Sequence, residues 1–451
     1  MKKKQLGNLI KNQDYHVRIT DIGTKGEGIG HIDGIPIFVE GAIPEDEIMA
    51  KIIFIKSNFV VGKLITINTP SAYRTDLLCS KSPRCGGCQI QAMAYHAQIM
   101  FKMKKITDSM ARIGKLPVEN ILPMIEMDKP VNYRNKAQFA IQGQPDNPQV
   151  GLYVIRTHRI IDLAECGIQH PIVSDIIARV KAYIQKSGVS IYDEASHTGL
   201  IRHVLIRTSF TQSDALVCLI INGTELSTQD ELIKNLRDVA SGIFINTNTN
   251  PGDTILGKST QLLFGNPYIE EQLLQMRFAI SPASFFQVNP IQAEKLISNV
   301  LEFANLTGNE IVWDAYCGIG TFTLFLAQNC KKVIGVEAVE SAIEDARQNA
   351  SLNGLTNIEW MIGPCETVFE TINEKPDLII VDPPRKGLDL QFLNTLINVN
   401  APRIIYVSCN PDTLARDLAI LVKAGYQLKK LQPIDMFPHT VHIESVTLLE
   451  I

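Results

Sequence analysis

Three side chains near the end of the sequence can do covalent chemistry. Cys409 stands in Ser408-Cys409-Asn410-Pro411, directly after the apolar run Ile404-Ile405-Tyr406-Val407. Asp382 opens Asp382-Pro383-Pro384-Arg385 after Leu378-Ile379-Ile380-Val381, and Glu444 lies in His442-Ile443-Glu444-Ser445-Val446. A thiolate can add to an electron-poor ring carbon and later be expelled, and a carboxylate can remove a proton between those two events. Cys409 is the candidate nucleophile and Glu444 the candidate base. Asp382 would hydrogen-bond the ring or a cofactor, or else cap the turn before its rigid Pro-Pro pair.

A nucleotide-type cofactor is indicated further upstream. The strand-like Ile311-Val312-Trp313-Asp314-Ala315 runs through Tyr316-Cys317-Gly318-Ile319-Gly320 into a helix, and Val333-Ile334-Gly335-Val336 ends on Glu337. Glycines let a ligand approach the backbone, and an acid at the end of the next strand accepts hydrogen bonds from both ribose hydroxyls. The Gly-x-Gly-x-x-Gly pattern of dinucleotide sites is broken, because Phe322 and Thr323 follow Thr321. S-adenosylmethionine, which has no pyrophosphate to cradle, fits better. A methyl donor beside a thiol suits one problem in particular. C5 of uracil is too weak a nucleophile to attack a methyl sulfonium until a nucleophile adds at C6.

Asp382-Pro383-Pro384-Arg385, Ser408-Cys409-Asn410-Pro411, Phe285-Phe286-Gln287-Val288-Asn289 and His442-x-Glu444 together resemble the RNA uracil-5-methyltransferase family, and the resemblance covers essentially the whole chain. It implies Cys409 as nucleophile and Glu444 as base, with Gln287, Tyr316, Glu337 and Asp382 binding the methyl donor. Phe285 would pack near the cofactor and target base, and Cys317 is read as a small packing residue. Cytosine-5 methylation needs the same thiol addition, with discrimination then falling to Gln287 or Asp382. A noncatalytic RNA-binding assembly factor would not need Cys409, Asp382 and Glu444 together.

Cys79, Cys85 and Cys88 crowd into ten residues around Gly86-Gly87, and Cys166 offers a fourth thiolate. Four thiolates suit structural zinc or an iron–sulfur cluster, and three clustered plus one remote favours the cluster. The resemblance implies a [4Fe–4S] cluster on these four residues, as in the ribosomal-RNA branch of the family, and with it 23S ribosomal RNA as the partner. Cys218, Cys330 and Cys365 are expected to be inert buried thiols.

The elements that must position these groups fall into three stretches. Residues 1–69 alternate short β-runs with glycine-rich turns such as 26–30 and Asp33-Gly34, which predicts a small β-barrel, and they resemble a TRAM domain, an OB-like RNA-binding barrel. Residues 70–280 mix strands (KAQFAIQG, VGLYVIRTHRIIDL, RHVLIRTSF, ALVCLIING) with helices near 92–113 and 173–185, an α+β iron–sulfur domain. Residues 281–451 alternate strand and helix as a doubly wound, Rossmann-like methyltransferase domain.

The net charge of −4 argues against RNA binding through a general basic field. Lys102, Lys104, Lys105, Arg112 and Lys115 face only Asp108 in sequence, which suggests a local phosphate-contacting helix face or a solvated one. No apolar run is long enough for a membrane span, the N-terminus does not resemble a signal peptide, and nine cysteines without a disulfide pattern suit a reducing compartment. A cytoplasmic monomer is expected.

Overall fold

The computed structural model describes residues 9–82, 84–155 and 157–451. The chain forms two compact units, one of residues 1–104 with 437–442 and one of residues 105–436 with 443–451. No helix among the described residues is long and apolar enough to cross a membrane.

In the first unit, β1 (Asp14–Ile22), β2 (Gly28–Ile32), β3 (Ile35–Val39), β4 (Glu47–Ile55) and β5 (Val60–Thr69) close a barrel in the order β1-β2-β3-β5-β4. Alternation builds it: Val17, Ile19, Ile48, Ala50 and Ile52 point into one core with Ile37, Val39 and Val60. The expected turn at 26–30 is displaced. Gly26 turns the chain with φ 87°, whereas Gly28 and Gly30 lie inside β2. A Cβ at Gly30 would come within 2.4 Å of Val17 and 2.6 Å of the Arg18 carbonyl, so these glycines serve wall-to-wall approach in the barrel. Helix α1 (Tyr95–Ser109) follows and ends in a π-turn over Met110–Gly114.

The second unit holds two sheets. The first takes β6 (Lys136–Gln144), β7 (Asn147–Tyr153), β8 (Ile160–Asp162), β9 (Ile201–Thr208), β10 (Ala215–Ile221), β11 (Gly242–Thr247) and β12 (Ser259–Gly265) in the order β12-β11-β10-β9-β6-β7-β8. The run expected as one strand, VGLYVIRTHRIIDL, is split into β7 and β8, which pair antiparallel. Helices α2 (Ile172–Ser187) and α3 (Gln229–Leu236) pack on each other beside this sheet. A hairpin, β13 (Ile269–Leu273) and β14 (Met276–Ile280), leads into the second sheet.

That second sheet carries the motifs. Its strands are β15 (Ile311–Ala315), β16 (Lys332–Glu337), β17 (Ile358–Ile362), β18 (Leu378–Val381), β19 (Arg403–Ser408), β20 (Gln427–Ile434) and β21 (Glu444–Glu450), ordered β17-β16-β15-β18-β19-β21-β20. The first five are mutually parallel, and β21 runs antiparallel between β19 and β20. Helices α4 (Pro290–Ala304), α5 (Thr321–Ala327), α6 (Glu340–Leu352), α7 (Cys365–Val368), α8 (Leu390–Val399) and α9 (Pro411–Lys423) connect and cover the strands. Strand order reverses between β15 and β18. In an open α/β sheet the crevice beyond that point, at the carboxyl ends of the strands, binds the ligand.

Candidate active site

The carboxyl ends of β15 and β16 form one wall. Gly318 (φ 55°) donates its N–H to Glu337 Oε2 at 3.2 Å, and the N–H of Val339 binds Glu337 Oε1 at 2.9 Å. A Cβ at Gly318 would meet nothing within 4 Å, so the turn faces open space with a carboxylate at its side. This is the form a nucleoside site requires. Tyr316 precedes it in the left-handed region (φ 62°), with its hydroxyl on Glu366 Oε1 at 3.1 Å and its ring edge-on to Phe392. Below lies Asp314, fully buried and bonded by Thr323 Oγ1 at 2.5 Å. Burial, reinforced by the charges of Asp382 and Glu337, raises its carboxyl to about 7. Sequence reasoning passed over Asp314, although a lone acid inside an apolar strand is a visible signal.

The opposite wall joins β18, β19 and β21. Ser408 pairs with Ser445 across β19 and β21, so Cys409 and Glu444 each lie one residue from that pair. Electrostatics records the same proximity. Burial pushes the Cys409 thiol up to about 11, helped by the Glu444 and Asp382 carboxylates and opposed by Arg385. Glu444 is 4% exposed; burial drives its carboxyl well above the ordinary range, and Asp382 adds to this while Arg385 opposes it. Asp382, desolvated in the same crevice, rises to about 7. Thiol and acids are therefore brought together, each resisting charge until a partner is neutralised.

One consequence is open to test. Removing the Asp382 charge by Asp382→Asn lowers the energy of the neighbouring thiolate, so the pH midpoint for Cys409 alkylation, read by iodoacetamide and peptide mass mapping, moves below that of the wild-type protein. An unmoved or raised midpoint would show that the two groups do not interact.

The loop bearing Asp382 is fixed by residues that the motifs did not reveal. Asn410 Nδ2 and Thr413 Oγ1 both donate to the Arg385 carbonyl, at 3.0 and 3.3 Å. Asp417, fully buried on α9, accepts the Leu388 N–H at 2.9 Å and the Tyr406 hydroxyl at 2.8 Å. Arg416 donates to the carbonyls of Lys386 and Leu388, each at 3.0 Å. Helix α9 thus locks nucleophile loop and acid loop as one piece.

The segment before α4 is held from the other sheet of the same unit. Arg207 on β9, 1% exposed, donates to the Pro282 carbonyl at 3.1 Å and also to that of Ser284, while Ser284 Oγ binds Asp345 at 2.7 Å. Asn135 donates its N–H to the Val288 carbonyl at 2.9 Å and its amide to the Gln287 carbonyl at 3.0 Å. Gln287 is buried, yet Phe285, two residues earlier, keeps 67% of its surface exposed. A bare ring on so constrained a turn is available for stacking.

One expectation comes out differently. Lys102 is not a surface cation: it is 0% exposed, with Nζ donating to the Phe437 carbonyl at 2.9 Å. Lys104 pairs with Asp21 and Arg112 with Asp108, so this helix does not present a free basic stripe. Cys79, Cys85 and Cys88 lie in turns of the first unit and Cys166 belongs to the second. Among the described residues no group of three or more His, Cys, Asp or Glu is assembled to hold a metal ion. Cys218 and Cys365 are buried, with thiols raised to about 12 by desolvation, and buried Cys330 is raised to about 11 for the same reason. The buried Cys317 thiol is also driven up by desolvation.

A reversed-order α/β sheet with an open glycine turn and a strand-end acid fits the class of S-adenosylmethionine-dependent methyltransferases, and comparisons narrow the class. Residues 132–451 match the model of the tRNA (Uracil-5-)-methyltransferase family and residues 11–65 that of the TRAM domain. The chain is 43% identical to an uncharacterized RNA methyltransferase of Clostridium tetani, covering 97% of this chain and 96% of that one. It is 42% identical to another, from Halalkalibacterium halodurans, over 99% of each. Among solved structures it is similar to the Pyrococcus abyssi tRNA (uracil-54, C5)-methyltransferase in complex with S-adenosyl-L-homocysteine, at 28% identity and a TM-score of 0.78, covering 96% of this chain and all of that one. The chain belongs to the RNA uracil-5-methyltransferase family, with S-adenosylmethionine as methyl donor and RNA as substrate.

Proposed function

We propose that the protein methylates C5 of uridine in 23S ribosomal RNA through a covalent bond from Cys409 to C6. The observation that carries this is that Cys409 and Glu444 flank the Ser408–Ser445 pair and that the Glu444 and Asp382 carboxylates act on the Cys409 thiol. The Cys409 thiol gives its proton to solvent, the thiolate sulfur adds to C6, and the C5–C6 π electrons move to give an enolate across C4. C5 then takes the methyl group, which S-adenosylmethionine supplies as a sulfonium-activated electrophile. C5 now bears both methyl and hydrogen. Glu444 removes that proton, the C5–C6 double bond reforms, and sulfur leaves. A carboxylate whose charge is disfavoured by burial is a stronger base once ionised, which suits a carbon acid.

Gln287, Tyr316, Glu337 and Asp382 form the proposed donor site, in which Glu337 would exchange its Gly318 and Val339 contacts for ribose hydroxyls. Exposed Phe285 is the proposed partner of the flipped-out base, since aromatic stacking contributes about 1–3 kcal/mol per base and such a base must leave its helix to reach the thiol. The ribosomal substrate rests on the TRAM barrel and the cysteine segment together. Transfer RNA, the substrate named for the archaeal neighbour, is the second reading. Labelled methyl donor offered with unmodified 23S ribosomal RNA and with transfer RNA should label the former; label in transfer RNA alone would select the latter.

Cys79, Cys85, Cys88 and Cys166 are proposed to carry the [4Fe–4S] cluster. Gly87 donates its N–H to Cys85 Sγ at 3.4 Å, the kind of contact that supports a metal-bound thiolate. Anaerobically prepared protein should be brown and contain about four irons per chain. Stoichiometric zinc without iron would overturn the assignment.

A further inference from the structure

With a net charge of −4, and with Lys102, Lys104 and Arg112 buried or paired, the protein needs another source of positive charge to meet the phosphates of its RNA. One lies in the second unit, where β6 and β9 pair antiparallel and set Lys136 directly opposite Arg207. Residues opposed in this way project from the same face of a sheet. Arg207 reaches the Pro282 and Ser284 carbonyls, so Lys136 stands on the face crossed by the segment that bears exposed Phe285. Burial alternates over 133–138: Tyr133, Asn135 and Ala137 are buried, while Arg134, Lys136 and Gln138 are half-buried, which puts Arg134 on the side of Lys136. The backbone of Arg134 is fixed as well, its N–H on the Ile168 carbonyl at 2.9 Å and its carbonyl accepting the His170 N–H at 3.1 Å.

Three cations thus share one strand end, and two of them have no counterion. Among the described residues no carboxylate pairs with Arg134 or Lys136, and neither side chain makes a hydrogen bond. The charges that act on Lys136 are those of Arg207 and Arg134, both positive. Burial, and after it those two charges, push the Lys136 ammonium down to about 8. A pair of freely solvated surface cations would not be held half out of water by strand pairing in this way. Like charges kept together and partly desolvated are unfavourable until an anion joins them.

We propose that Lys136 and Arg134 bind a backbone phosphate of the substrate RNA beside the uridine that flips out onto Phe285. The proposal rests on the reading that the target base enters at Phe285. Phosphate is the anion this substrate carries at every nucleotide, and phosphate contacts fix position and register without reading sequence. Flipping rotates a nucleotide about its own backbone, so the flanking phosphates must be held while the base leaves the stack. Arg207 links the two contacts, since it holds the Ser284 carbonyl, one residue before Phe285, and stands opposite Lys136.

The test uses Lys136→Gln and Arg134→Gln in the full-length protein, with the transcript, 23S ribosomal RNA or transfer RNA, that takes up methyl label. The Kd for RNA should rise by about tenfold in each variant, the loss expected for a hydrogen bond to a charged group. The slope of log affinity against log salt should become shallower by about 0.7 for each phosphate contact removed from unpaired RNA. Lys136→Arg should restore both, and S-adenosylmethionine should bind all three variants as it binds the wild type. Ethylation interference gives the place: the phosphate whose ethylation blocks the wild type but no longer matters to Lys136→Gln should adjoin the methylated uridine. An unchanged salt slope in the folded variants, with or without weaker binding, would overturn the phosphate contact, and an interference site remote from that uridine would overturn its placement. If one variant does not fold, the other decides. If Phe285→Ala methylates RNA normally, the Phe285 reading fails, whereas the salt slopes of the cation variants still decide the phosphate contact by themselves.

Discussion

Cys409→Ala abolishes methylation: turnover falls by about 10⁴-fold or more, as when the nucleophile of a covalent catalyst is removed. The size follows from the order of events. Without sulfur at C6 the uracil ring never gains the electron density at C5 that attacks the methyl group, so the loss precedes every bond change. No covalent RNA complex should form, while methyl-donor binding, proposed for the β15 and β16 wall, should persist. Filter binding with labelled S-adenosylmethionine, beside a single-turnover assay, separates the two. Retained turnover in a folded Cys409→Ala protein would remove the covalent route.

Glu444→Gln fails later. The amide keeps the shape of a side chain that is 4% exposed but cannot accept the C5 proton, so turnover falls by about 10²–10⁴-fold, the range for loss of a general base. Addition and methyl transfer still proceed. The product is then trapped on Cys409, and a methylated adduct persists through denaturing electrophoresis. Removing a neighbouring negative charge also eases thiolate formation, because the Glu444 carboxylate is one of the groups holding the Cys409 thiol up. Adduct formation should therefore be at least as fast as in wild type. Slower adduct formation with intact RNA affinity would give Glu444 an earlier role.

Much of this site was legible because a parallel sheet buries both faces of its strands. Runs such as Leu378-Ile379-Ile380-Val381 and Ile404-Ile405-Tyr406-Val407 stand out, and the residue after each must fall at the ligand-binding edge. Asp382, Cys409 and Glu337 could be placed on that ground. What stayed hidden depends on contacts distant in sequence. Arg207 reaching the Pro282 and Ser284 carbonyls, Asn135 holding Gln287 and Val288, and Asp417 tying Leu388 to Tyr406 have no local signature. Charge also misled. Lys102 looked solvated because lysine usually is, and only the fold shows that its ammonium is bonded within a core. In the first unit, spacing suggested a glycine turn where barrel closure uses Gly28 and Gly30 inside a strand. The place of β21 between β19 and β20, which puts Glu444 on the same sheet edge as Cys409, is a matter of topology.

The central claim is that this crevice methylates a uracil carbon, and nucleoside analysis tests it most directly. RNA incubated with the protein and methyl-labelled S-adenosylmethionine, then digested to nucleosides and resolved by mass spectrometry, should carry the label in 5-methyluridine. Label in 5-methylcytidine, or on a nitrogen or ribose oxygen, would contradict the account.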